Sequence, residues 1–552
     1  MSTTVDPITV SVIQHRLRAV VEEMGEAMLR TSYSQILNSS RDFSTAICDP
    51  KGRLIAQAEH VPIHVGALPF AARSVSEFFE GRIKPGDVFL LNDPYRGGNH
   101  LPDLTVFVPV FDGDRHVFWS INRSHQSDIG GATHGAYNAS ATEIWQEGLR
   151  IPPLKLYEAG KRREDVYEMI VLNVRHPRDF RGDLAAMIGS AHVGERRLVR
   201  LIEEFGSKTA HAGIEAVLDG AERQVRTIIA GWKDGIYEGE AFLDDDGHKF
   251  KDIHIRARIT KTGSDLEVDL TDCHPQVTGF INSSLANTHS AVVVALAYLI
   301  DPETPKNDGA FRPVKVKVKE GTIVWPRPGA PVTLCTNHCA QEVLEAIIRA
   351  LASACPERAM AGWGRRFRIA IQGVDPRTER QFIWHLFQSR PGGGASIAGD
   401  GWPGAGEWQA AGGIKFGSLE VQEVRFPLFF RRHEFRPDSG GDGEFRGGTG
   451  GELELVVETK TPCKGNTAGD GVKYGACGLL GGTDGKPHRY WLQSAGKPDR
   501  PLKTKETGID ILPGDVIHAH SGGGGGWGDP AKRTAEARAR DLELGFVTRG
   551  GK

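Results

Sequence analysis

Two histidine–aspartate pairs of the form H-x-x-D stand close together in the chain: His100 with Asp103, and His125 with Asp128. Imidazole nitrogens and carboxylate oxygens are the donors that hold Zn, Mn or Fe at a working site. A set without cysteine is unlike a structural thiolate zinc site. Between the pairs runs TVFVPVF, then DGD, then HVFWSIN, two strand-like segments joined by turn residues and apolar enough to be buried on both faces. If Asp112-Gly113 is a two-residue turn, facing positions sum to 225 and His100 lies opposite His125. Two imidazoles and two carboxylates then gather at one end of a rigid hairpin, with Pro102 keeping Leu101 extended. The competing reading is that each of these residues only forms a turn or caps a helix.

A second hairpin repeats the layout. FSTAIC and RLIAQA flank DPKG, with Asp42 just before the first strand and His60 and His64 after the second. Asp42 is the candidate fourth ligand, with His60 and His64 as alternatives. The helix expected before this hairpin starts at Asp6-Pro7, an N-cap followed by a residue that needs no N–H donor. Three helical segments fill about 164–235. Residues 236–335 read as paired strands (GEAFL, HIRARIT, LEVDLTDC, VKVKV) around a helical NTHSAVVVALAYLI. Beyond Arg390 the sequence turns glycine-rich and strand-like and closes on a short helix.

The expected fold class is therefore mixed α/β of the α+β kind in several domains. A β-hairpin-rich metal-site domain with a helical segment covers 1–235, a middle α+β domain 236–390, and a glycine-rich, mainly β region with a terminal helix 391–552.

Composition removes several classes. With 552 residues, a net charge of −3 and 25% charged residues, the chain has no basic stripe for nucleic acid. It shows no secretory h-region and no apolar stretch that could span a bilayer, so a cytoplasmic location is expected. Seven scattered cysteines give no disulfide framework, and CTNHC (335–339) reads as a buried helix start. The run SGGGGGWGDP contains a formal G-x-G-x-x-G at Gly523, Gly525 and Gly528, but no βαβ unit can follow it, so a flexible or tightly turned loop is expected. No G-x-x-x-x-G-K-[ST] and no G-x-S-x-G occurs, so neither an ATP cradle of that kind nor a serine elbow is expected. For an enzyme, this leaves an activated water as the nucleophile.

The stretches SSRDFSTAICDPKGRLIAQ, VFLLNDPYRGGNHLPDL, HQSDIGG, ATEIWQEGLRIPPLKLYEAG, RPDSGGDGEFRGGTG and SGGGGGWGDP resemble the hydantoinase B family over essentially the whole chain. That family includes N-methylhydantoinase B subunits and the C-terminal half of 5-oxoprolinase, and is similar to one subunit of the acetone and acetophenone carboxylases. The resemblance implies the metal-bearing B subunit of an ATP-dependent cyclic-amide hydrolase acting on a hydantoin, 5-oxoproline or another lactam. A separate hydantoinase A-type subunit would bind ATP and phosphorylate the substrate, in a hetero-oligomer such as (AB)2. Asp42, His100, Asp103 and His125 carry over as ligands of a divalent metal, zinc first, with Mn or Fe as alternatives. Asp128, His134 and Glu147 become candidates for proton transfer or substrate contact. Arg436 and Arg446 have the fork geometry to meet a phosphorylated intermediate, against a solvated turn as the plainer reading. Two other functions stay open: a ketone carboxylase subunit of the acetone or acetophenone type, and a non-catalytic scaffold with a structural metal.

Overall fold

The computed structural model of the protein describes residues 5–58 and 60–549. The first helix, Pro7–Thr31, starts where the Asp6 carboxylate accepts the N–H groups of Ile8 and Thr9 at 3.1 and 3.0 Å. Its buried Ile13, Leu17, Val20, Val21, Met24 and Met28 recur every three or four residues and form one stripe. Helices Glu164–Leu172, Pro177–Phe205 and Ser207–Ala230 occupy the stretch expected to be helical.

A seven-stranded antiparallel sheet carries the N-terminal part: β1 (Phe43–Cys48), β2 (Leu54–Ala58), β3 (Val88–Leu91), β4 (Asp103–Asp112), β5 (Arg115–His125), β6 (Leu154–Glu158) and β7 (Lys161–Arg162), in the order β2-β1-β5-β4-β3-β6-β7. On one face Ile47, Val110 and Phe118 pack with Leu17, Val21 and Leu198 of the long helices. On the other, Phe89, Phe107, Trp119 and Ile121 pack with Leu68, Ala72 and Val75 of helix Leu68–Phe78. Burial on both faces explains why β4 is apolar for most of its length, whereas β5 buries Ser120, Asn122 and Arg123 with hydrogen-bond partners.

The β4–β5 register differs from the expected one. Asp112 pairs with Arg115, so the turn is Gly113-Asp114, and a bulge between Val110 and Phe111 moves the ladder one residue further. Gly113 takes φ +59 while Asp114 is not left-handed, which suits a turn with glycine at its first central position. His125 therefore faces Asp103 rather than His100. Leu101 and Pro102 are not extended but form a tight turn from His100 to Asp103, closed by the Asp103 N–H on the His100 carbonyl at 3.1 Å. The polar ends still meet, because that turn brings His100 back over the start of β4.

A four-stranded sheet follows, built from Gly235–Asp245, Lys251–Thr262, Asp265–Asp269 and Val314–Lys317, the last two parallel. A third sheet draws on both sides of residue 390, pairing Phe367–Val374 with Gln381–His385 and with Cys463–Gly469. A fourth, five-stranded sheet lies wholly in the C-terminal part. The mixed α and β architecture is thus as expected, spread over four sheets.

The glycine run is not a flexible loop. Gly522–Gly526 are buried and extend through the middle of four other segments. The N–H groups of Gly523, Gly524, Gly525 and Gly526 bond to the carbonyls of Lys486, Gly448, Gly362 and Thr483 at 2.8–3.1 Å. None of the five has a positive φ, so glycine is required here for space rather than for backbone conformation. CTNHC does begin a helix, Ala340–Leu351, with the Cys339 N–H held by Glu342 at 2.6 Å. All seven cysteines are free and buried.

Candidate metal centre

Three elements converge at the end of the hairpin. Asp103 opens β4, His125 closes β5, and Asp42 lies one residue before β1, its carbonyl accepting the His125 N–H at 3.0 Å. Arg41 turns the chain into that position with φ +58, a left-handed conformation that costs a non-glycine residue about 1 kcal/mol. His64 comes from the one-turn helix Pro62–Val65.

Asp103 is the hub. Its Oδ1 lies 2.9 Å from His100 Nε2 and 3.1 Å from His125 Nδ1, and those two nitrogens are 3.2 Å apart. Its Oδ2 faces His64 Nε2 at 3.4 Å, and the same nitrogen is 3.5 Å from Asp42 Oδ1. Relative exposure is 0% for Asp103, 1% for His100, 2% for His64, 4% for His125 and 5% for Asp42, so water does not compensate these charges.

The tautomers follow from the surroundings. His100 Nδ1 donates to the Thr333 carbonyl, which leaves a lone pair on Nε2 pointing at the Asp103 carboxylate. Two acceptors at that separation repel unless positive charge sits with them, either a second proton or a cation. Burial opposes charge on His100, but the Asp103 carboxylate outweighs it and the imidazole pKa rises. Burial likewise opposes the Asp103 carboxylate, yet His100 and His64 hold its pKa well below the usual range. Asp103 Oδ2, His125 Nε2 and His64 Nδ1 are buried without a hydrogen-bond partner. Converging imidazole and carboxylate donors with unsatisfied atoms fit a divalent metal, and among the described residues His100, Asp103 and His125 are the group that could hold one.

Further residues brace this cluster from behind. Glu147 Oε2 and Oε1 accept the N–H groups of Val332 and Thr333, each at 2.8 Å, and the Thr333 carbonyl holds His100. Glu147 thus reaches the cluster through Thr333 rather than directly. Asp128 does not turn toward the cluster. It accepts the Gly130 N–H and both the N–H and Nη1 of Arg175, all at 3.0 Å, and so clasps its own loop. His134 packs against the third sheet, with Nε2 3.2 Å from the Ala370 carbonyl and the Asn466 amide 3.3 Å away. The His60 ring lies tilted against Phe43, 4.5 Å between ring centres.

Neither C-terminal arginine sits in a solvated turn with a free fork. Arg436 donates to the carbonyls of Pro487 and Ser521 at 2.8 and 3.1 Å. Arg446 is buried and tied to Asp541 at 3.1 Å, fastening the terminal helix.

Sequence reasoning misses a buried arginine pair behind Asp42. Arg366 Nε and Arg368 Nη2 meet Glu407 Oε1 at 3.0 and 2.9 Å, and Arg366 Nη2 donates to the Tyr137 hydroxyl at 3.0 Å. Asp42 acts electrostatically on both guanidinium groups. The alternation in RRFRIAI is a readable signal for them, since residues two apart on a strand share a face.

Known proteins share this architecture. The family model described as hydantoinase B/oxoprolinase matches residues 6–530. The chain is 35% identical to the beta subunit of the caprolactamase of Pseudomonas jessenii, over 99% of this chain and 95% of that one. The crystal structure of the ATP-dependent caprolactamase from the same organism superposes with a TM-score of 0.93 at 34% identity, covering 100% and 96% of the two chains. A putative D-/L-hydantoinase B-type chain of Pseudomonas sp. (strain NS671) is 31% identical over 99% of this chain and 94% of its own. A nucleotide-free acetone carboxylase structure shares the fold, with a TM-score of 0.91 at 20% identity over 99% of this chain and 78% of that one.

Proposed function

The chain belongs to the hydantoinase B/oxoprolinase family, and from that premise we propose that it is the metal-bearing component of an ATP-dependent cyclic-amide hydrolase. The observation that carries this reading is the buried His100/Asp103/His125 cluster with its unsatisfied ligand atoms. ATP would be held by a separate A-type subunit, which phosphorylates the amide oxygen of a lactam or hydantoin. The logic is chemical: an unstrained amide is a poor electrophile, and O-phosphorylation makes its carbon electrophilic; after water adds, the C–N bond breaks, the ring nitrogen leaves protonated as the amine, and the resulting acyl phosphate is hydrolysed to carboxylate and phosphate.

Asp42, His100, Asp103 and His125 would hold the ion, with His64 between the two carboxylates. A divalent ion there supplies Lewis acidity and makes water acidic enough to act as a nucleophile near neutral pH. Of the sequence candidates, Glu147 serves by fixing the Thr333 carbonyl and through it the His100 ring, and Asp128 by holding the loop that leaves β5. Both are positioning roles. Arg366 and Arg368 oppose the charge of Asp42.

The test is co-expression with an A-type partner and measurement of ATP turnover and ring opening with caprolactam, a hydantoin and 5-oxoproline, beside acetone with bicarbonate. Amide-dependent ATP turnover coupled to ring opening is expected. Turnover with the ketone alone would replace this reading by the carboxylase one.

Glu147→Gln supplies a narrower test. The amide turns an N–H toward one of two backbone donors, so the Val332–Thr333 strap loosens. Loss of such an outer partner lowers metal affinity by about 10–100-fold, to be read by competition with a chelator. Wild-type retention in the variant would remove Glu147 from the support of the site. The same residue gives a pH signature. Burial pushes its carboxyl up to about 7 from 4.5, against two backbone donors that favour the charged form. The folded chain then keeps a proton that the unfolded chain has released between those values, so its stabilising contribution is lost as pH rises through 7. The fall in unfolding midpoint over that window should be shallower in Glu147→Gln than in wild type.

A further inference from the structure

Behind Asp42, one carboxylate is shared by two buried arginines. Glu407 Oε1 lies 3.0 Å from Arg366 Nε and 2.9 Å from Arg368 Nη2, while its Oε2 accepts from the neutral Gln409 amide at 3.2 Å. Both cations therefore lean on a single oxygen. An arginine pairs most strongly with a carboxylate when two parallel N–H groups meet two oxygens, and neither guanidinium makes that fork with Glu407. Arg368 Nη1 is buried with no hydrogen-bond partner, and the Arg366 Nε contact is out of line for a hydrogen bond. The Arg368 guanidinium is fixed by stacking over Phe387, 3.6 Å from the ring centre. It is a rigid, charged donor with one arm unpaired.

The local charge is out of balance in the same sense. Arg390 joins Arg366 and Arg368 in acting on Glu407, and the other carboxylate that Arg366 and Arg368 feel, Asp42, belongs to the metal centre. Three guanidinium groups thus face one carboxylate of their own. Burial opposes charge on Glu407, yet the arginines hold its carboxyl below the usual range, so it is ionised. A void of about 10 Å³, room for roughly one water molecule, is lined by Arg368, Arg390, Glu407 and Ser389, whose Oγ is also unpartnered, and reaches the exposed Lys415. A carboxylate from outside fits only where the Glu407 carboxylate now stands.

We propose that Arg366 and Arg368 form a carboxylate site beside the metal centre, which Glu407 fills in the free protein and which a ligand's carboxylate takes over by displacing it. Glu407 is then a tethered competitor. A free carboxylate improves on its single-oxygen contact by presenting both oxygens to the Arg368 fork, which also satisfies the buried Nη1. The choice of ligand rests on the hydrolase reading above: the carboxylate is either one carried on the ring of the cyclic amide or the one that ring opening creates.

The test uses the full chain, with its metal and after chelation, so that coordination of the anion by an ion is told apart from binding to the arginines. Calorimetry follows acetate, 5-oxoproline and 6-aminohexanoate, with caprolactam as the uncharged control, on wild type, Arg368→Gln and Glu407→Gln. Removing the fork is expected to weaken carboxylate binding about tenfold, and removing the tethered competitor to strengthen it about fivefold, in the chelated chain as well. Opposite signs are the signature, since two merely structural residues would both weaken it. Caprolactam should bind alike in all three chains. Tighter binding of 5-oxoproline than of acetate assigns the site to a ring carboxylate, and tighter binding of 6-aminohexanoate assigns it to the ring-opened acid. Should either variant fail to fold, Arg368→Lys keeps the charge without the fork, and Glu407→Asp keeps the charge but draws it back from the arginines; the same signs are expected. Unchanged affinity at either position, or a fall at both, overturns the proposal. The assay involves no turnover, so that result leaves the hydrolase reading standing, which fails separately if the wild-type complex shows no amide-dependent ring opening.

Discussion

Asp103→Asn is expected to empty the metal centre and abolish ring opening while leaving the fold intact. The substitution keeps the shape of the side chain. It removes the charge that His100 Nε2 and His125 Nδ1 face at 2.9 and 3.1 Å and that His64 faces from the other oxygen. Losing an outer partner already costs about 10–100-fold in metal affinity, and a direct carboxylate ligand costs more. Metal content of the purified chain, measured by elemental analysis, should fall below one tenth of wild type. Ring opening in the complex should fall with it by at least a hundredfold. The unfolding midpoint should fall, because the buried pairs that the carboxylate makes with His100, His125 and His64 are lost, while the isosteric amide preserves the packing. Activity retained after loss of the metal would establish the scaffold reading, in which the ion is structural and the chemistry lies elsewhere.

Gly524→Ala is expected to prevent folding. A Cβ at this position would lie 1.9 Å from the Gly393 carbonyl oxygen and 2.3 Å from its carbon, both backbone atoms. Its neighbours are no freer: at Gly523, Gly525 and Gly526 the nearest backbone oxygens would be 1.8, 1.9 and 2.0 Å away. Relief requires several chain segments to separate and their interlocking hydrogen bonds to break. The cost exceeds the usual ~1–3 kcal/mol of overpacking and is a large fraction of a total stability of about 5–15 kcal/mol. Soluble yield and the unfolding midpoint read the effect. Gly189→Ala, in helix Pro177–Phe205 with nothing within 4 Å of the new methyl, should instead be neutral or stabilise by up to about 1 kcal/mol. Wild-type stability in Gly524→Ala would refute the close-packed reading of the run.

The two substitutions separate what is legible along the chain from what is not. Local grammar singles out Asp103: an H-x-x-D before a long apolar strand, a turn, and a second H-x-x-D after it. The convergence survives a shift in register, because any hairpin of that length returns its far end to the same place. The bulge at Val110 and the turn at Gly113-Asp114 decide that Asp103, not His100, faces His125. The glycine run misleads for the opposite reason. Five glycines in a row look unconstrained locally, and only the four segments that close around them show that space is the constraint.

Glu147, Asp128 and His134 mark the same limit. Their types and positions suggest chemistry, but a side chain's role depends on which atoms reach it, and those atoms lie far along the chain: Val332 and Thr333, Arg175, and Ala370 and Asn466. By itself the sequence determined the secondary elements, the mixed architecture and the polar, ligand-type end of the hairpin, because capping, periodicity and turn chemistry act over a few residues. Only the tertiary structure decided the support of His100, the arginine pair behind Asp42 and the glycine core, because these depend on contacts between segments tens to hundreds of residues apart.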